Sequence, residues 1–260
     1  MNSSPYGWWL PLDASTHGAE IDHLINIIHV FMAVLFVGWG IYFVYCLFRF
    51  RQKPGHQASS IREHFKFPKY LETGVLIVEI WLLVFVSSPL WFKVKTAFPA
   101  EKDALVVRVV AEQFAWNIHY PGKDGKFGKT SAELVDGVNT LGLDREDPDA
   151  KDDIVTINIF HVPVNKPVIV HLSSKDVIHS FSLPVLRVKQ DTIPGMTIPI
   201  WFEAKRAGQP GEEFDIACAQ LCGLGHYRMK GMLYLDTPEQ FAAWMAEEEK
   251  NLAAESGESS

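Results

Sequence analysis

The chain has 260 residues, 48% hydrophobic and 21% charged, which excludes a disordered or collagen-like polymer and allows one or two domains with a sizeable core. Its formal charge of −7 argues against a nucleic-acid binder and suits a basic partner better. Three cysteines cannot build a disulfide framework, and the sequence holds no Cys-x-x-Cys-His, no phosphate-binding glycine loop and no Gly-x-Ser-x-Gly elbow.

Residues 24–48 carry no charge, a length sufficient to cross about 30 Å of hydrocarbon. Residues 71–92 form a second apolar stretch that includes Glu72, Glu79, Trp81 and Trp91. Buried helices of a soluble protein rarely stay apolar on every face for so long, so the pattern predicts a transmembrane hairpin over 24–95. The connecting loop holds Arg49, Arg51, Lys53, Arg62, Lys66 and Lys69, whereas the first 23 residues hold no Lys or Arg and carry Asp13, Glu20 and Asp22. The positive-inside rule puts that loop in the cytoplasm and both ends outside, with Lys93 and Lys95 as a mild counter-signal. Residues 1–23 lack a basic n-region and a small-residue cleavage site, so no signal cleavage is expected. Trp8 and Trp9 read as an interfacial belt.

After Pro99 the pattern changes to short apolar runs at 105–110, 154–160, 167–172, 180–186, 199–204 and 232–235, separated by Gly, Pro, Asn and Asp. Such runs predict an antiparallel sandwich or barrel. Between Tyr120 and Asp153 lies a polar insertion, basic at Lys123, Lys126 and Lys129, then acidic at Asp144, Glu146, Asp147, Asp149, Asp152 and Asp153. It reads as a solvated loop or as a docking surface for a basic protein. Thr237, Pro238 and Gln240 fit the N-cap, N1 and N3 positions of a capping box that opens a final helix, followed by an acidic tail that frays.

Residues 218–229 collect Cys218, Cys222, His226 and Met229 within twelve positions. Thiolate and thioether are soft donors that select copper, and imidazole also suits it. One further imidazole is available in His179, which precedes a predicted strand about forty residues upstream, and a sandwich brings such loops together at one end. A mononuclear blue-copper centre needs only one Cys. A second thiolate four positions on allows both sulfurs to bridge two copper ions, with one imidazole terminal to each and Met229 as an axial ligand. Structural zinc would also use Cys and His, but it rarely takes Met. A Cys218–Cys222 disulfide would leave His179, His226 and Met229 unexplained. His119, His161 and His171 read as ordinary surface residues.

The Cys-x3-Cys-x3-His-x2-Met run, the segment Asp176-Val177-Ile178-His179-Ser180-Phe181 and the segment Asp191-Thr192-Ile193-Pro194-Gly195 resemble subunit II of the haem-copper cytochrome c oxidases. The resemblance implies a two-helix transmembrane hairpin followed by an all-β cupredoxin-like Greek-key sandwich at 100–236, with a C-terminal helix and acidic tail at 237–260. It implies a binuclear copper A centre on His179, Cys218, Cys222, His226, Met229 and the main-chain carbonyl of Gln220. Electrons would come from cytochrome c or a haem-bearing donor complex and pass to haem in subunit I. Oxygen would be reduced there, with subunit III and the lipid bilayer as further partners, and this chain would carry no catalytic residue of its own. The implied setting is a bacterial inner membrane with the N-terminus and the copper domain on the periplasmic side.

Three positions depart from the family pattern. Gln220 stands where many members have a Glu that also helps to bind magnesium against subunit I, and a neutral amide is a weaker ligand for that hard cation. The family's aromatic segment Gln-Trp-x-Trp, where electrons enter, is Gln113-Phe114-Ala115-Trp116 here, which makes Phe114 and Trp116 the candidates or plain packing residues. Glu79, a candidate for the mouth of a proton path, lies two positions before Trp81 where the family usually has three. Readings from other classes are a membrane-anchored copper chaperone or sensor, and a copper-free quinol oxidase subunit, which the complete ligand set disfavours.

Overall fold

The computed structural model describes residues 10–55, 66–209 and 211–257. Trp8, Trp9 and Arg62 lie outside the described residues. The chain divides into two compact units, a helical one over Glu20–Lys93 and a second that joins the segment ending at Ala19 to Val94–Ser260.

In the helical unit, α1 spans Gly18–Arg49 and a second long helix spans Phe67–Thr96. Their most apolar windows have mean hydropathies of 2.2 and 2.1, and almost none of that apolar surface is covered within the chain. Both are long and apolar enough to cross a membrane, and the stretches expected at 24–48 and 71–92 lie inside them. The second helix comprises α2 (Phe67–Trp81), a wider turn over Leu82–Ser87 and α3 (Ser88–Thr96). Pro89 explains the wide turn, because it offers no N–H and its ring pushes away the carbonyl four positions back. The Leu83 carbonyl accepts from the Ser88 backbone N–H across this turn and, at 2.8 Å, from the Ser88 Oγ as well.

The second unit is a sandwich of two five-stranded sheets. Its strands are β1 (Leu105–Glu112), β2 (Ala115–Tyr120), β3 (Ile154–Ile157), β4 (Ile159–Pro163), β5 (Pro167–Ser174), β6 (His179–Leu183), β7 (Val188–Thr192), β8 (Ile198–Glu203), β9 (Phe214–Cys218) and β10 (Lys230–Asp236). One sheet has the order β3-β2-β1-β5-β8 and the other β4-β10-β9-β6-β7. The sandwich agrees with the sequence pattern, but the purely antiparallel pairing does not. β1 pairs parallel with β5 and β10 parallel with β4, because the chain leaves one sheet for the other and returns beside an earlier strand.

The run expected as one strand over 154–160 is cut at Asn158, whose φ of 61° lies in the left-handed region that Asn tolerates. This kink sends β3 into one sheet and β4 into the other. The side-chain oxygen of Asn158 accepts from the Trp116 N–H at 2.8 Å, which holds the switch in place. The run expected over 180–186 ends at Leu183, since Pro184 begins a tight turn that closes with Arg187 at φ 57°.

The core between the sheets is aromatic: Trp116, Tyr120, Phe160, Phe181 and Phe202 are all buried. On β2 the alternate residues Asn117 and His119 are buried too, because the 121–153 insertion folds over that face. Asn117 accepts from Thr140 Oγ1 at 2.6 Å, and His119 pairs with Asp153 at 2.7 Å with both side chains at most 1% exposed. His119 is therefore a core residue and not the surface residue its sequence context suggested. His161 is half-buried: its ring stacks on Tyr234 and on Trp244, each at 4.3 Å, and its Nδ1 lies 2.6 Å from Asp236. Several acids of the insertion serve the backbone of its basic half: Asp152 accepts from the Lys123 and Asp124 N–H groups, Asp147 from Lys129 and Asp153 from Gly128. The insertion is thus a folded lobe in which Asp147, Asp152 and Asp153 hold backbone N–H groups, while Asp124, Glu133, Asp136 and Glu146 stay exposed.

The final helix α4 (Pro238–Gly257) opens on the expected capping box, with the Thr237 N–H donating to Gln240 Oε1 at 2.8 Å and the Gln240 N–H to Thr237 Oγ1 at 3.3 Å. The segment before α1 belongs to the sandwich. The Ala14 N–H donates to the Val185 carbonyl, the Lys205 N–H to Ala14, and Ser15 bridges to Ala204. Arg187 fastens this strap by donating to the Pro11 and Leu12 carbonyls.

Candidate metal centre

The site is assembled from three pieces of chain at one end of the sandwich. His179 is the first residue of β6, Cys218 the last of β9, and the 219–229 loop leads on to β10. β6 and β9 are hydrogen-bonded neighbours with Phe181 opposite Cys218, and the Ala219 N–H donates to the Ser180 carbonyl at 3.0 Å. Sheet pairing therefore brings the imidazole beside the thiols although about forty residues separate them in sequence.

Ligating atoms of His179, Cys218 and Cys222 lie within 4.8 Å of one another. The two Sγ atoms are 3.7 Å apart, and all three cysteines of the chain are free thiols. Cys222 Sγ is 3.7 Å from His226 Nδ1 and 3.8 Å from Met229 Sδ, while His179 Nδ1 is 3.1 Å from the same Sδ. Cys218 Sγ lies 3.1 Å from the Gln220 carbonyl, so every atom of the expected ligand set sits in or beside this cluster. Cys222, His179 and Met229 are buried, Cys218 and His226 half-buried, and Gln220 exposed. Two thiols, two imidazoles, a thioether and a carbonyl in one partly dry pocket fit a soft metal and fit copper in particular.

Burial, and after it the neighbouring Cys218 thiol, push the Cys222 thiol up to about 11. Burial works against the charge on Asp176 as well. Hydrogen bonds from His179 and from the Val177 and Gln113 N–H groups outweigh that effect and hold its carboxyl below the ordinary range. A carboxylate can only accept, so its 2.8 Å contact assigns the proton of His179 to Nε2 and leaves the Nδ1 lone pair facing the sulfurs.

The two aromatic candidates occupy different places. Phe114 is 37% exposed and lies over the ligand loop, where a Cβ on Gly225 would come within 2.4 Å of its ring. Trp116 is fully buried, edge-on to His179 at 6.2 Å and to Phe181 at 5.3 Å. Glu79 lies in α2, in the helical unit. Sequence reasoning missed Gln113 and Asp176 as partners of the site. The signal was present in their positions, one before Phe114 and three before His179.

A family profile for the periplasmic domain of cytochrome c oxidase subunit II matches residues 105–234. The alternative cytochrome c oxidase subunit 2 of Bradyrhizobium diazoefficiens is 35% identical over 255 residues, covering 98% of this chain and 88% of that relative. Cytochrome c oxidase subunit 2 of Cereibacter sphaeroides is 28% identical over 256 residues, covering 93% of this chain and 80% of that relative. Among solved structures, the periplasmic domain of subunit II of cytochrome oxidase of Bradyrhizobium japonicum is similar over 57% of this chain and 95% of that chain, at 30% identity and a TM-score of 0.41. The chain, with its two apolar helices and cupredoxin-like sandwich, belongs to the membrane-anchored subunit II family of the haem-copper cytochrome c oxidases.

Proposed function

We propose that Cys218, Cys222, His179, His226, Met229 and the Gln220 carbonyl hold a binuclear copper A centre, through which the chain takes electrons from cytochrome c and delivers them to haem in subunit I. The observation that carries this reading is the convergence of His179 on the two thiols within 4.8 Å, in a cluster that also includes a thioether and a second imidazole. Copper held by these residues would supply one-electron transfer. The residues do the rest: Asp176 orients His179, the β6–β9 pairing fixes Cys218, and the buried side of the pocket excludes water.

Phe114, half-exposed above the ligand loop, is the group that meets a docked donor, and Trp116 supports His179 from below. Subunits I and III and the bilayer are the standing partners. Magnesium is not part of this proposal, since Gln220 offers only a neutral amide beside its carbonyl. Glu79 serves the mouth of a proton path. The strap at residues 11–16 and the sandwich share one side of the membrane, because they are hydrogen-bonded into one unit. The cationic loop after α1 then faces the cytoplasm and the sandwich the periplasm of a bacterial inner membrane.

The test is stopped-flow reduction of the assembled oxidase by reduced cytochrome c, comparing the parent chain with Phe114→Ala and His179→Ala. Rapid reduction of the parent, slowed in Phe114→Ala and absent in His179→Ala, supports the relay. Equal rates in all three would sink it.

A further inference from the structure

On the copper reading above, we propose that Gln113 is a positioning residue of the metal centre, holding one thiolate ligand and one imidazole ligand in register with each other. Gln113 and Phe114 form the two-residue turn between β1 and β2, which is fixed by five cross-strand pairs ending at Glu112 opposite Ala115. From that rigid turn the Gln113 side-chain amide donates to the Cys222 carbonyl at 2.6 Å. Its backbone N–H donates to Asp176 Oδ2 at 2.7 Å, and the other oxygen of that carboxylate accepts from His179 Nε2 at 2.8 Å. A single residue thus reaches Cys222 directly and His179 through one intermediate.

The ligand loop is shaped to admit this clamp. At Gly223 a Cβ would lie 2.7 Å from the Gln113 amide nitrogen, and at Gly225 it would lie 2.4 Å from the Phe114 ring. Gly223 has a φ of 137°, a conformation that any side chain would strain. The loop between Ala219 and His226 is irregular and borrows its shape from what it touches. The amide contact holds the Cys222 carbonyl, and so fixes the backbone at the residue from which Sγ projects into the cluster. Hydrogen bonds of this kind around metal ligands are worth about 10–100-fold in metal affinity.

The test compares the full-length parent with Gln113→Leu, which removes the donor, and Gln113→Glu, which keeps the size but turns an oxygen toward the Cys222 carbonyl. In detergent-solubilised, copper-loaded protein we expect copper release to a chelator to quicken about tenfold in Gln113→Leu and further in Gln113→Glu. The electron paramagnetic resonance hyperfine pattern should change while far-UV circular dichroism does not. A role in packing alone predicts a harmless Gln113→Glu. Parent-like spectra and release rates in both variants overturn the proposal, as does loss of the fold in both. Cobalt(II) substitution separates this result from failure of the functional reading, because its thiolate charge-transfer band reports the Cys222 environment whichever metal is native. An unchanged cobalt band in both variants overturns the Gln113 role, whereas a parent without a copper pair overturns the copper reading.

Discussion

Breaking the buried His119–Asp153 pair should destabilise the sandwich by about 4 kcal/mol. Asp153 Oδ2 serves two donors, His119 Nε2 at 2.7 Å and the Gly128 N–H at 2.8 Å, in a place where neither side chain is more than 1% exposed. Asp153→Ala leaves both donors buried without an acceptor, and each costs about 1–3 kcal/mol. His119→Leu strands a carboxylate whose Oδ1 already has no hydrogen-bond partner among the described residues, at a cost of about 3–5 kcal/mol. The double variant His119→Leu/Asp153→Leu removes both polar partners together and orphans only the Gly128 N–H, so its loss should be smaller than either single one, about 1–2 kcal/mol. The assay is urea unfolding of the full chain in detergent, followed by the fluorescence of buried Trp116 and its fellow tryptophans. A single-variant loss below about 1 kcal/mol, or losses that simply add in the double variant, would refute the reasoning.

Asn158→Ala should cost about 2 kcal/mol, the left-handed backbone and the lost Trp116 hydrogen bond contributing comparably, while Asn158→Gly should recover the backbone part; equal losses in urea unfolding would contradict this. Thr237→Ala should loosen the start of α4 by about 1 kcal/mol and speed hydrogen exchange there without changing metal binding. The metal-free chain should weaken at alkaline pH. Burial raises both the Cys222 thiol, to about 11, and the Tyr120 phenol, and an unfolded thiol titrates near 8.5. Both groups are therefore protonated more firmly in the folded chain; the Cys222 contribution is complete below about pH 8.5 and lost as pH rises through about 11, and the Tyr120 contribution starts to fall only above the ordinary phenol range. The urea midpoint should fall across that interval, less steeply in Cys222→Ala, and a flat profile would contradict the burial of the thiol.

The hairpin and most strands were legible because they rest on local patterns: unbroken apolar length for the helices, short punctuated runs for β1, β5, β8 and β10. The cluster of donor side chains was legible for a similar reason, since four of them fall within twelve positions. What escaped depends on contacts distant in sequence. β2 shows no clean alternation because both its faces are buried, one by the core and the other by the insertion. β7, with Lys189, Gln190 and Asp191 in five residues, reads as a loop and becomes a strand only by pairing with β6. The strap at residues 11–16 carries no strand signal and is defined by its bonds to Val185, Glu203 and Lys205. Nothing in the string Gln113-Phe114 announces the Cys222 carbonyl, which lies 109 positions away.

The most direct measurement is the metal content and electron paramagnetic resonance spectrum of the full chain loaded with copper in detergent, with the strap retained because it is part of the sandwich. The account predicts two coppers per chain and a seven-line hyperfine pattern from one electron shared between them, lost on substitution of either Cys218 or Cys222. One copper with a four-line pattern, or zinc in its place, would contradict it.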